Sequence, residues 1–106
     1  MWLRPSGSRI AEPTGPPIEE IGARLRRLRR CLDACADPAP MPGKAMRFVA
    51  TLLAYDRELV EACQALCIPQ SLLEATGTER TIERLRVEAA LEQAGLVLRT
   101  GSERTR

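Results

Sequence analysis

The chain has 106 residues and a formal net charge of +2, from 15 Arg, one Lys and 14 acidic residues, with no His. That length fits a single domain. The near-balanced charge gives no general attraction for nucleic acid, and the absence of His removes every Cys–His or Ser–His catalytic pair. With one Trp, one Tyr and one Phe, the interior must be built from Leu, Ile, Val, Ala, Met and Cys around Phe48 and Tyr55. A domain of this size with so thin a core is marginal alone and gains from self-association.

In chain order, residues 1–17 hold Pro5, Pro13, Pro16, Pro17, Gly7 and Gly15 with no apolar period, and a disordered tail is expected there. The stretch Met1–Arg4 has no signal-peptide core. The longest apolar run, Phe48–Tyr55, is interrupted by Thr51 and is too short to span a bilayer. The expectation is a cytoplasmic chain that does not enter membranes, with its four cysteines reduced.

Residues 18–36 predict a first helix. Ile18, Ile21, Leu25, Leu28, Leu32 and Cys35 alternate spacings of three and four and form one stripe. Pro17 suits the entry, and Glu19 and Glu20 suit the positive end of the helix dipole. Glu20 is placed to pair with Arg24, and Asp33 with Arg29. The run Asp37–Gly43, with three prolines, breaks the helix.

Residues 44–66 predict a second helix, with Phe48, Leu52, Tyr55, Leu59, Ala62, Cys63 and Leu66 in phase. The phase holds across Asp56, which favours one continuous helix over a break capped by that residue. Cys67-Ile68-Pro69 ends it. Ser71-Leu72-Leu73-Glu74 matches a capping box and predicts a short helical turn ended by Gly77. Thr78 then caps a third helix over 79–94, stopped by Gly95. Leu96-Val97-Leu98 is expected to fold back on the core, and residues 99–106 form a second disordered tail. The expected fold is all-α: a small bundle over 18–98, made of a helical hairpin, a short turn and a third helix.

The third helix is apolar on two sides. Ile82, Leu85 and Ala89 line one face and are expected to face the core, in phase with Leu96. Val87, Leu91 and Ala94 line the other and are the expected partner-binding residues, with a second copy of the chain as partner. The competing arrangement has Leu72 and Leu73 of the short turn cover that second stripe within one chain.

Two Cx3C pairs stand out, Cys31/Cys35 and Cys63/Cys67. Paired thiols at this spacing suit soft or tetrahedral metals. The pattern resembles the twin Cx3C arrangement of small mitochondrial chaperones and the Cx3C pairs of bacterial copper-storage bundles, which implies a thiol-based metal or redox role. In an antiparallel hairpin, however, Cys63 sits about 18 residues beyond the level of Cys35, roughly 27 Å along the helix. No shared four-cysteine site, and no metal or other cofactor, is therefore expected. Both pairs lie late in their helices, where the dipole disfavours a thiolate nucleophile. Gly43-Lys44 fails as a phosphate loop, because Pro38 and Ala45 stand where Gly and Ser or Thr are needed. The acidic pairs Glu58/Glu61 and Glu88/Glu92 read as solvated faces.

Five Arg fall between Arg24 and Arg30. Arg26, Arg27 and Arg30 point away from the apolar stripe and are the candidate anion or nucleic-acid contacts. Leu59–Ala75 resembles a helix-turn-helix, with Leu66 and Ile68 around the turn, Ser71 opening the next helix and Cys67 where Gly is usual. Ala90–Val97 is similar to the end of a recognition helix in winged-helix regulators, where Gly stops the helix before a wing strand. These resemblances imply a DNA-binding regulator. The preferred expectation is a non-catalytic interaction module, an adaptor or regulatory subunit that binds itself or another protein. DNA binding and thiol–metal chemistry are the alternatives.

Overall fold

A computed structural model of the chain describes residues 17–36 and 42–98, and within them the protein is an all-α bundle with no strand. The helices are α1 (Ile18–Cys35), α2 (Lys44–Ala65) and α3 (Gly77–Gln93). The expected tails (residues 1–17 and 99–106) and most of the Asp37–Gly43 break lie outside the described residues, Pro17, Pro42 and Gly43 apart.

α1 and α2 form an antiparallel hairpin. Ile18, Gly22 and Arg26 lie beside Leu66 and the segment after α3. At the other end Cys31 and Cys35 lie beside Lys44, Arg47 and Thr51. α2 runs unbroken through Asp56, as its apolar phase predicts. α3 begins beside Val49–Asp56 and ends near Leu66, so it runs in the same sense as α2. The connection 66–76 returns along α3. The Arg86 guanidinium donates to the Pro69 carbonyl at 3.0 Å, and the Ser71 amide donates to Glu83 Oε2 at 2.9 Å.

The core takes Ile21 and Leu25 from α1, Tyr55, Leu59, Ala62 and Cys63 from α2, Leu72 from the connection, Val87 and Leu91 from α3, and Leu98 beyond it. Leu96 and Leu98 do fold back on the core. Gly22 is what admits Leu96, since a Cβ at that position would stand 3.0 Å from its Cδ1. The aromatic expectation is half met: Tyr55 is buried, but Phe48 is 40 % exposed because it lies in the first half of α2, beyond the packed centre.

Two helices end in the same way. After α3, Gly95 takes φ 103, its amide donates to the Glu92 carbonyl and the Leu96 amide to that of Leu91. After α2, Cys67 takes φ 58, its amide donates to Gln64 and the Ile68 amide to Cys63. Both are Schellman caps, which need a left-handed residue and prefer Gly there. Cys67 fills the role without being Gly.

The start of α3 differs from expectation. Thr76, rather than Thr78, precedes the helix, and Gly77 opens it with φ 60 instead of closing the turn before it. The capping-box geometry at Ser71–Glu74 is replaced by two other bonds: distant Glu83 takes the Ser71 amide and nearby Gln70 takes that of Leu72. Residues 71–75 make one turn and no helix.

Candidate functional site

The faces of α3 are the reverse of the sequence expectation. Val87 and Leu91 are fully buried, whereas Ile82 and Leu85 are each 60 % exposed and Ala89 is exposed with them. Leu72 is buried in the same core cluster as Val87 and Leu91, as the competing arrangement has it, but Leu73, its other expected cover, is 42 % exposed. Ala94, the third expected partner residue, is exposed at the end of the helix.

Ion pairs between helices fix this orientation. Asp56 of α2 is 1 % exposed and holds two arginines of α3. Arg84 grips it with two bonds, Nε to Oδ1 at 2.6 Å and Nη2 to Oδ2 at 2.8 Å, and Arg80 Nε donates to Oδ2 at 2.9 Å. About one turn beyond Arg84, Glu88 of α3 accepts bonds from the Tyr55 hydroxyl at 2.5 Å and from Arg29 of α1 at 2.6 Å. Arg29 also reaches the Tyr55 oxygen at 3.0 Å. Burial, and then the Glu88 carboxylate, push the Tyr55 hydroxyl well above the ordinary tyrosine range. The two buried carboxylates, Asp56 and Glu88, thus draw partners from all three helices, as buried charges must.

Sequence reasoning missed both clusters. Glu88 was expected on a solvated face and Arg29 was expected to pair with Asp33. For Asp56 the sequence alone suggests only a possible helix cap. The Glu20–Arg24 pair does form, at 2.9 Å. Glu58, also expected in solvent, is half-buried 3.5 Å from Arg24, and its Oε1 has no hydrogen-bond partner. Burial and the neighbouring Glu61 raise its carboxyl above the usual range. Arg86 and the Ser71 amide hold the Glu83 carboxyl down, at about 2.

The outward surface is apolar where the interior is partly charged. Along α2, Met46 (79 %), Val49 (63 %) and Leu53 (41 %) form an exposed stripe at spacings of three and four. Between this stripe and α3 lies a groove of about 340 Å³, lined by Val49, Leu52, Leu53, Thr81 and the Asp56–Arg80–Arg84 cluster. The α3 stripe of Ile82, Leu85 and Ala89 adjoins Thr81 on the outer side.

The other candidates are dispersed. Arg26 is not a free anion contact, because it donates to the Val97 carbonyl at 2.8 Å and ties down the chain after α3. Arg27 and Arg30 are exposed. Cys31 and Cys67 are exposed, Cys35 is half-buried and Cys63 lies in the core, all as free thiols. The antiparallel hairpin puts the two cysteine pairs at opposite ends of α2. Among the described residues no three His, Cys, Asp or Glu side chains converge as a metal site. The segment expected to be a recognition helix is the single turn 72–74, and the residues after Gly95 that are described, 96–98, form no wing strand. No described helix is long and apolar enough to cross a membrane.

Comparison with known proteins adds nothing to this picture: no protein family, curated protein or solved structure matches the chain.

Proposed function

We propose that this chain is a non-catalytic interaction module of the cytoplasm, and that its working surface is the α2–α3 groove with the outer stripe of α3. The occupant is a second copy of the chain. The observation that carries this reading is the α3 stripe: Ile82 and Leu85 stay 60 % exposed on a helix whose opposite face is fully buried. Apolar patches of this kind, here together with the Met46–Val49–Leu53 stripe across the groove, mark interaction surfaces rather than ordinary surface scatter.

Charge favours self-recognition. One carboxylate, Asp56, serves two arginines at the groove, which leaves the groove cationic. The exposed Glu79 lies in the first turn of α3, beside the stripe. An apolar helical face edged by a carboxylate is the chemistry that such a groove accepts. The thin core supplies the thermodynamic motive, since association stabilises the fold by mass action. The buried carboxylates Asp56 and Glu88 are engaged with arginines and Tyr55 across the helices, which supports a structural rather than a catalytic use for them.

Thermal unfolding measured over a hundredfold range of protein concentration tests this. A melting temperature that rises with concentration, and that becomes concentration-independent in Ile82→Asp, is the expected outcome. A melting temperature independent of concentration in the wild type would contradict the proposal.

A further inference from the structure

Asp56 and its two arginines line the groove between α2 and α3, and their charges do not balance. One carboxylate faces two guanidinium groups, so one positive charge is left over. Glu88, the other buried carboxylate of this region, is matched by Arg29 and does not cancel it. Water screens the excess only in part, since the Arg80 and Arg84 side chains are 22 % and 15 % exposed. Arg84 grips Asp56 through Nε and Nη2, whereas Arg80 gives it Nε alone. The two terminal nitrogens of Arg80 stand outside the clamp. Beside these charges the walls are apolar: Val49, Leu52 and Leu53 of α2 line the same space of about 340 Å³.

We propose that this groove binds a medium-chain alkyl carboxylate, which takes the place of the second copy and so separates two associated chains. A carboxylate is planar and singly charged. It matches the fork of the Arg80 terminal nitrogens and neutralises the one charge in excess. A doubly charged phosphate would overshoot that charge. The alkyl chain then lies along Val49, Leu52 and Leu53. Small-ligand sites of about 300–1,000 Å³ combine apolar walls with a few polar anchors. The groove falls at the lower end of that range, which limits the tail to one chain of modest length. Binding is reversible, and no covalent bond forms or breaks.

The regulatory consequence rests on the self-association reading, but binding itself does not. A helical face edged by a carboxylate and an alkyl chain ended by one call on the same walls and the same arginine, so the two occupants exclude each other. A ligand that binds only the single chain draws the equilibrium towards it.

The test is a titration of the full chain with octanoate, kept below its micelle-forming concentration and followed by amide NMR and by sedimentation equilibrium. The amides of Gly77, Arg80 and Thr81 are expected to shift and saturate at one octanoate per chain, while the sedimenting mass falls towards that of one chain. Decanoate should bind more tightly, by up to about fourfold for each added methylene, and octanol more weakly than octanoate. Two variants should each weaken octanoate binding about tenfold with helicity retained by circular dichroism. Arg80→Gln leaves Asp56 to Arg84, and Val49→Asp places a competing carboxylate at an exposed wall position outside the clamp. Shifts that do not saturate, equal binding by octanol, undiminished binding in Val49→Asp, or a dimer mass that octanoate does not lower would overturn the inference. A wild type that sediments as one chain even without octanoate would overturn the self-association reading instead, and the amide shifts would still decide whether the groove binds the carboxylate.

Discussion

The two faces of α3 carry nearly the same apolar content, Val87 and Leu91 on one and Ile82 and Leu85 on the other, yet one is buried and the other is in water. Burying either pair is worth a comparable amount, about 1.5–3 kcal/mol per side chain, so hydrophobicity does not choose between them. Charge does. With Val87 and Leu91 inward, Arg80 and Arg84 reach Asp56, and Glu88 reaches Tyr55 and Arg29. Half a turn of rotation would strand Asp56 in the core without its partners, at a cost of several kcal/mol. The polar clamps therefore orient the helix, and the apolar stripe left outside becomes available for a partner.

A charge placed on each face in turn separates the two most strongly. Leu91→Glu inserts an unpaired carboxylate among the buried core residues and is expected to unfold the domain, seen as loss of cooperative melting by circular dichroism. Leu85→Glu is expected to leave helicity intact. A folded Leu91→Glu variant would mean the faces are misassigned.

Removing the clamp is the next largest effect. Asp56→Ala leaves two arginines without their shared carboxylate and should cost about 3–5 kcal/mol in denaturant unfolding. A loss well under 1 kcal/mol would show that the clamp does not orient α3.

Tyr55→Phe removes the hydroxyl that Glu88 accepts, at an expected cost of about 0.5–1.5 kcal/mol near neutral pH. It also carries a pH signature. The folded state holds this hydroxyl protonated above the ordinary range, so its contribution is complete below about pH 10, the unfolded tyrosine value, and falls away as pH rises beyond it. Wild-type stability should drop through that alkaline window, and the drop should be smaller in Tyr55→Phe.

Cys67→Gly touches neither face of α3. By relieving the left-handed backbone at the α2 cap it should stabilise the fold by about 1 kcal/mol.

Much of the fold was legible in the sequence. The stripe of Ile21 and Leu25, the unbroken phase of α2 through Asp56 and the Gly95 stop rest on local spacing and local backbone chemistry, and each stands in the structure. The orientation of α3 was not legible, because its determinants are partners distant in sequence. Asp56 and Arg84 are 28 positions apart, and Arg29 and Glu88 are 59 apart. Seen one helix at a time, such residues look like solvated charges, and Glu88 beside Glu92 read that way. The candidate surface was found as a helix with two apolar faces, but its side was inverted for the same reason. The left-handed demand at Cys67 did leave a signal, since the position stands where a helix-turn-helix usually has Gly.

Sedimentation equilibrium of the wild type and Leu85→Glu at matched concentrations decides whether the outward stripe of α3 joins two copies of the chain. The expected result is a wild-type mass that climbs towards twice that of the chain as concentration rises, and a folded variant that stays at the mass of one chain. A wild type that remains monomeric across the range, or a variant that dimerises as the wild type does, would contradict it.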